Sequence, residues 1–389
     1  MRLLHTSDWH LGHALKEVTR DVEHQAFLTW LLDTCAREAP DVMLITGDVF
    51  DSATPPASAE RMWFEFLAAA RRARPAMDII AIAGNHDSPA RLGAASAVLR
   101  ELGVHVVGGH DPARCVIEVA GGQGLVIAVP FLRPIDLPDV DDPLAAVYAE
   151  ALALGRARRR PGQAMFATGH LYVAGAEQSQ LSERRVSIGG QESASLRLFP
   201  DDLDYVALGH MHRAQRVGRD SIRYAGAPIP LALDEASYKH SVVLWDGAPR
   251  TIPIPRTIDV MQITGALVQV LAEIAMLPTG SDPRRPYLEV IVRLDRPEPR
   301  LRTAIETALD GKRVRLVRLA TELTGDGATL AERTTVRRLA ELDPRDVFVQ
   351  CWSRAHSDAP PPAVLAAFDR LLADVQGGEP AQADRGALA

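Results

Sequence analysis

The sequence predicts an α/β fold, followed by a small α+β domain and a C-terminal helical hairpin. Three observations lead there. Up to about residue 250, short apolar runs alternate with segments of helical periodicity. The pattern changes at "TIPIPRTIDV" (251–260), where a compact strand–helix–strand unit begins to emerge. After "LTGDGATLAE" (323–332), which reads as a linker, two helical patterns surround a Pro-rich turn. A chain of 389 residues has room for a large core and more than one domain.

The elements follow in order. "LLHTSD", "DVMLITGDVF", "DIIAIAGNHD", "GLVIAVPF", "AMFATGHL", "DYVALGHMH" and "SVVLWDG" each carry a run of Val, Ile, Leu or Ala, as buried strands do. Between the early ones, "VEHQAFLTWLLDTCAREA" (22–39) and "SAERMWFEFLAAARRA" (58–73) repeat apolar residues at helical spacing. In the small unit, "YLEVIVRLD" is a strand, "EPRLRTAIETALDG" a helix closing on Gly, and "KRVRLVRLATEL" a strand. "DPRDVFVQCWSRAH" (343–356) and "PPPAVLAAFDRLLADVQ" (360–376) form the hairpin. Val364, Leu365, Phe368, Leu371, Leu372 and Val375 make one stripe of its second helix, which packs on its own domain or docks on a partner. The tail, "GGEPAQADRGALA", reads as disordered.

Bulk properties exclude several classes. Hydrophobic residues are 47% and charged residues 24% of the chain, as in ordinary globular proteins. A net charge of -7 argues against a protein that coats nucleic acid through overall charge, though a local basic groove remains open. Cys35, Cys115 and Cys351 form neither a disulfide framework nor a CxxC zinc site, consistent with a reducing cytosol. "MRLLHTSDWH" has no apolar core of a signal peptide, and no run is long enough to span a bilayer.

The chemistry lies at the strand ends. Asp8 and His10 close the first run, Asp48 the second, and Asn85, His86 and Asp87 the third. His170 ends "FATGH", and His210 and His212 end "ALGHMH". Residues i and i+2 on extended backbone face one side, so each of the pairs 8/10 and 210/212 converges. In open α/β sheets, ligand sites form beyond the carboxyl ends of strands. One such motif is weak evidence, because a lone His after Gly is more often a hydrogen-bonded surface residue. Five strand ends with metal-type residues are together a metal cluster. Mixed His, Asp and Asn donors without thiolate favour Mn²⁺ or Fe²⁺, with Zn²⁺ also open. Gly47, Gly84, Gly169 and Gly209 each precede a proposed ligand, where a residue without Cβ permits unusual dihedrals and tight turns.

The ordered set D-x-H, G-D, G-N-H-D, G-H and G-H-x-H resembles the calcineurin-like metallophosphoesterases. The stretches "TSDWHLGH", "TGDVFDSATPP", "AGNHDSPARL", "VALGHMH" and "YAGAPIPLALDE" resemble the SbcD/Mre11 nucleases, the bacterial SbcD branch above all. The resemblance runs over residues 1 to about 245. It implies a two-sheet sandwich flanked by helices over residues 1–255, a capping domain over 256–325, and partner-binding helices and tail over 326–389. It further implies one cation held by Asp8, His10, Asp48 and His212, and a second held by Asp48, Asn85, His170 and His210. The bridging Asp48 would hold the ions roughly 3.5–4 Å apart. The expected cofactor is two Mn²⁺, with Mg²⁺, Fe²⁺ or Zn²⁺ as alternatives. His86 would face the phosphate and stabilise or protonate the leaving oxygen. Asp87 either orients His86 or serves as a helix cap or loop acceptor.

The implied function is DNA double-strand-break repair, with exonuclease and hairpin or end endonuclease activity. Implied partners are double-stranded DNA ends and hairpins, an SbcC/Rad50-like coiled-coil ATPase, and a second copy of the chain within a heterotetramer. The expected location is the bacterial cytoplasm at the nucleoid, away from membranes. No Walker-type ATP loop occurs in the sequence, so ATP dependence would come from a partner chain. The alternative is a stand-alone metallophosphoesterase acting on small phosphodiesters. A structural adaptor with a degenerate site is disfavoured by the intact ligand set.

Other residues invite milder readings. His13 and Arg91 are candidates to meet DNA, although a surface role is the commoner one for such a His. Arg156 to Arg160, "RARRR", is a solvated helix end or a phosphate contact. Arg184 and Arg185 precede "SIGG" in a loop-like stretch. His5 should be a buried, hydrogen-bonded strand residue, and Trp9 should pack beside the site.

Overall fold

The computed structural model describes residues 1–177, 193–282, 284–296, 298–323, 348–349, 352 and 360–368. Residues Met1–Leu323 form one compact unit and Thr324–Ala389 another. The expected linker beyond residue 323, Arg184, Arg185, Cys351, most of the first C-terminal helix, Leu371, Leu372, Val375 and the tail lie outside the described residues.

Two six-stranded sheets build the body of the first unit. The first runs in the order Pro249–Pro253, Ser241–Trp245, Leu3–Thr6, Val42–Thr46, Asp78–Ile82 and Val104–Val107. Its last four strands are mutually parallel. The second runs Gln215–Val217, Arg219–Tyr224, Tyr205–Gly209, Ala164–His170, Gly124–Ile127 and Val116–Val119, with its central four strands parallel. Every apolar run read as a strand in the sequence up to residue 247 is one.

Alternation along these strands assigns each side chain to a layer. Leu3, Val42, Leu44, Ile80 and Ile82 point inward and meet Phe166, Tyr205, Ala207 and Val126 of the other sheet. Leu4, Met43, Ile45 and Ile79 point outward, under the helices Asp21–Glu38 and Ala57–Ala73. Val206, Leu208, Met165 and Ala167 point outward under the helix Pro143–Arg158. Both faces of the central strands are therefore dry, and continuous apolar runs there replace the polar–apolar alternation of half-exposed strands. Phe166 sits edge-to-face on Trp245 at 5.0 Å, locking the two sheets. Trp9 is fully buried, edge-on to Phe27, Trp63 and Phe66.

The helix Pro143–Arg158 escaped the sequence reading. Its buried residues, Leu144, Val147, Tyr148, Ala151, Leu152 and Gly155, have helical spacing. The Ala and Leu residues on its other side erase the polar contrast that would have marked it. Asp142 caps it by accepting from the Ala145 N–H at 3.0 Å, with Pro143 in the first turn. The run 156–160 ends this helix. Arg156 pairs with Asp202 (2.8 Å), Arg159 with Asp204 (3.4 Å) and Arg160 with Glu118 (2.9 Å). Those guanidinia are already matched by carboxylates, in keeping with a solvated helix end.

The small domain differs from the expected strand–helix–strand. A further strand, Val260–Ala266, and a helix, Leu267–Met276, precede it. The three strands Val260–Ala266, Tyr287–Leu294 and Arg315–Leu323 are parallel, as connections through helices require. Val270, Ile274, Leu288, Val290, Val292 and Ile305 form their own core. A separate cluster of Leu15, Leu233, Ile258 and Tyr287 joins this domain to the body. Beneath it Arg20, buried, clasps Glu23 and lies 4.9 Å from the Tyr287 ring, while the Tyr287 hydroxyl donates to Glu23 at 2.8 Å. Within the second unit, residues 362–368 are helical, and Phe348 stacks on Phe368 at 4.2 Å. Val364, Leu365 and Phe368 are half-buried on that helix, as the stripe predicts. No helix among the described residues is long and apolar enough to cross a membrane.

Candidate metal centre

The carboxyl ends of five parallel strands, three from one sheet and two from the other, meet at one edge of the sandwich. They deliver Asp8 and His10, Asp48, Asn85 and His86, His170, and His210 and His212. Asp8, His10, Asp48, His170, His210 and His212 are all at most 5% exposed. The ligand atoms of Asp8, His10 and His212 lie within 4.8 Å of one another, as do those of Asp8, Asp48 and His170, and of His10, Asp48 and His86. Asp48 Oδ2 lies 3.5 Å from His10 Nε2 and 3.3 Å from His170 Nε2. Asn85 Oδ1 lies 3.0 Å from His170 Nε2 and 2.9 Å from His210 Nδ1.

The backbone that aims these groups is unusual. Asp8 (φ 53°), His10 (φ 47°), Asp48 (φ 47°) and His210 (φ 100°) adopt left-handed conformations that side chains ordinarily avoid. Such conformations persist where the surrounding structure over-determines them. The glycines were expected to supply the unusual dihedrals, but among the four only Gly47 does, at φ 93°. The others serve by proximity. A Cβ at Gly209 would come within 1.8 Å of the Thr46 carbonyl oxygen and 2.3 Å of Ser7 Oγ. Gly209→Ala should therefore cost at least about 1–3 kcal/mol in urea unfolding, as overpacking does, and displace His210. Gly109→Ala, where a Cβ meets nothing within 4 Å, should leave stability unchanged. Equal unfolding midpoints for the two variants would refute the steric reading.

The electrostatics follow from burial and from neighbouring charge. Burial alone would raise Asp48, but His170 and His10 beside it hold its carboxyl well below the usual range. Burial alone would lower His170, yet Asp48 lifts it to about 9. Burial raises Asp8, against His170 and His212. Burial lowers His10, and burial together with His170 lowers His210 to about 3. Cation binding would displace the His170 proton, because metal ligands must be deprotonated.

The donors fit a divalent cation. They are buried oxygens and imidazole nitrogens with no thiolate. His10 Nε2 is buried without a hydrogen-bond partner and faces Asp48 across 3.5 Å. Orphaned buried nitrogens are costly, and a cation between His10 and Asp48 would satisfy this one.

The structure supplies partners for the remaining site candidates. Asp87 does not reach the His86 ring. Its carboxylate accepts the backbone N–H groups of Val49, Phe50 and Gly84 at 2.9–3.2 Å, so of its two readings the loop acceptor is the one observed. Burial and the nearby Asp48 charge lift Asp87 to about 6. His86 is held by Asp51, whose carbonyl accepts from His86 Nδ1 at 2.8 Å. His86 N–H itself donates to Asp48 Oδ1 at 2.9 Å. His13 lines the cleft, with Nδ1 against Asp51 Oδ1 (3.0 Å) and Nε2 against the Leu231 carbonyl (2.9 Å). Arg91 pairs with Glu60 at 3.1 Å and is not among the residues lining the cleft.

The cleft itself has a volume of about 880 Å³. It is lined by His10, Asp48, Asn85, His86, His210 and His212, and also by Lys16 and Arg318. Arg318 belongs to the small domain. Neither Lys16 nor Arg318 was legible as a site residue, because no local motif surrounds it.

Comparison with known proteins places these features in a family. Residues 1–214 match the calcineurin-like phosphoesterase family, and residues 256–356 match the family described as the type 5 capsule protein repressor C-terminal domain. A relative in Rhodobacter capsulatus, the SbcD subunit of the nuclease SbcCD, is 39% identical over 82% of this chain and 87% of its own length. Proteins of the same name in Escherichia coli K12 and Bacillus subtilis are 33% and 36% identical, over 76% and 64% of this chain and 78% and 67% of theirs.

Proposed function

This chain belongs to the SbcD family of calcineurin-like phosphoesterases, and we propose that it is the nuclease subunit of a DNA double-strand-break repair complex. It is a metal-dependent nuclease, a hydrolase of phosphodiester bonds. Its substrates are double-stranded DNA ends and hairpins, cut by exonuclease and endonuclease action. Its partner is an SbcC/Rad50-like ATPase, engaged by the C-terminal helices. Residues 256–325 cap the cleft. Two Mn²⁺ ions are the cofactor, one held by Asp8, His10, Asp48 and His212, the other by Asp48, Asn85, His170 and His210.

The observation that carries this reading is the convergence of Asp48 Oδ2, Asn85 Oδ1, His170 Nε2 and His210 Nδ1, with neighbouring atoms 2.9–3.3 Å apart, beside the partnerless His10 Nε2. Bound there, divalent cations supply positive charge to the scissile phosphate and lower the pKa of a water nucleophile. The chain's own residues do the rest. Asp48 spans both ligand groups with one carboxylate. The Asp51 carbonyl holds His86 by Nδ1, which leaves Nε2 to face the phosphate and protonate the leaving oxygen. Lys16 brings positive charge to the cleft wall, where a phosphate backbone would run, while Arg318 on the same wall is paired with the buried Glu289.

Linear duplex DNA, hairpin DNA and p-nitrophenyl phosphate esters, offered with Mn²⁺, test the reading. Cleavage of both DNAs, abolished by EDTA, is expected. Hydrolysis confined to the small esters would replace it with the stand-alone phosphoesterase.

A further inference from the structure

The imidazoles of the two cation groups are backed by different acceptors. His10 Nδ1 donates to Asp51 Oδ1 at 3.1 Å, and His212 Nδ1 donates to Glu235 Oε1 at 2.8 Å. Both acceptors are carboxylates. Glu235 is fully buried, and its second oxygen accepts the Leu231 N–H at 2.7 Å, which fixes the carboxylate plane. Asp51 is fixed by sharing Oδ1 with His13 Nδ1 at 3.0 Å. On the other side of the cluster, His170 Nδ1 donates to the neutral Thr46 carbonyl at 2.9 Å. The ring of His210 meets Asn85 Oδ1 through Nδ1, and no carboxylate hydrogen bond to it occurs among the described residues.

We propose that Asp51 and Glu235 are positioning residues that make the Asp8–His10–His212 site the tighter of the two cation sites, so that it fills first. This rests on the two-cation reading above. A carboxylate accepting from Nδ1 fixes the tautomer, keeps the Nε2 lone pair directed at the ion and raises its basicity. A neutral carbonyl fixes the tautomer with less gain in basicity. Two carboxylate-backed imidazoles on one ion and none on the other make the sites unequal. Asp51 does a second thing: its carbonyl holds His86, so one residue sets both a metal ligand and the phosphate-facing imidazole.

The test is Mn²⁺ titration of the full chain, with free Mn²⁺ counted by electron paramagnetic resonance. Wild type should bind two ions in two unequal steps. Glu235→Gln and Asp51→Asn keep an acceptor oxygen but lose its charge. Each should weaken the tight step by about 10–100-fold, the usual loss on removing such a partner, and leave the weak step in place. Glu235→Ala, which loses the acceptor altogether, should weaken the tight step further than Glu235→Gln. A merely structural role would lower the metal-free unfolding midpoint without acting on one step selectively. The proposal is overturned if both charge-removing variants keep the tight step, or if they weaken the other step. Asp51 lies at the partly exposed cleft wall, so Asp51→Asn decides the matter even if Glu235 variants fail to fold. If wild type binds fewer than two ions, the two-cation reading itself falls, and the wild-type trace alone reveals that.

Discussion

Replacing Asp48 with asparagine is expected to abolish DNA cleavage, by a factor of at least about 10³, which corresponds to roughly 4 kcal/mol of transition-state stabilisation. Asp48 is the carboxylate whose Oδ2 lies against both His10 Nε2 and His170 Nε2. Asparagine keeps the shape and tolerates the left-handed backbone at this position (φ 47°) better than alanine would. The loss is therefore one of charge and metal, not of folding. Calorimetric titration with Mn²⁺ should show both binding steps weakened. His86→Ala makes the informative contrast. Its ring is held through Nδ1 by a backbone carbonyl and is assigned to phosphate, so cleavage should fall about 10²–10⁴-fold while both ions still bind. Should His86→Ala lose the ions, or Asp48→Asn keep them, the assigned roles are wrong.

The second large effect is on stability in acid. His5 is fully buried between sheets, with Nδ1 at 2.9 Å from the Tyr205 hydroxyl and Nε2 at 2.9 Å from Thr46 Oγ1. His24 is fully buried, with Nε2 donating to the Trp9 carbonyl at 2.9 Å and Nδ1 without a hydrogen-bond partner. Burial pushes both imidazoles down to about 3, for His24 with help from Arg20. In the unfolded chain each titrates near 6.5. Between pH 6.5 and about 3 the unfolded state binds the protons and the native state does not. Stability is therefore lost as pH falls through that window. At pH 5 each histidine should cost about 2 kcal/mol, and the pair about 4 kcal/mol, a large share of a typical 5–15 kcal/mol. Urea midpoints in EDTA at pH 7.5 and pH 5.0 measure it. A His24→Gln variant should lose about 2 kcal/mol less than wild type between the two pH values. A wild-type midpoint that does not move would show that these imidazoles are protonated in the fold.

How much of the site could be read from sequence depends on how local its signals are. Each proposed ligand sits at the end of an apolar strand, often after a glycine, and a strand end is written in consecutive residues. The seven proposed ligands, His86 and the buried role of His5 were therefore visible as text. Asp51 is only three residues from Asp48, yet its side chain does nothing recognisable until His10 and His13 arrive on the loop after the first strand. Glu235 stands in the short 3-10 helix Leu233–Ser237 and gains meaning only against His212. The signal that could have found it was a carboxylate downstream of the G-H-x-H pair, too common to weigh alone. Asp87 was ambiguous because its neighbours in sequence include His86, whereas its partners in space are mostly amides of the Asp48 loop. Arg318 reaches the cleft from another domain.

By itself, then, the sequence determined the α/β class, the strand ends and the donor types, because hydrophobic periodicity and turn chemistry act over a few adjacent residues. The tertiary structure alone decided how closely the donors approach one another, which carboxylate or carbonyl stands behind each imidazole, and which backbone bears left-handed dihedrals. Those contacts join residues far apart in the chain, 202 positions in the case of His210 N–H and Asp8. They exist only once two sheets, each with its own strand order, have packed face to face.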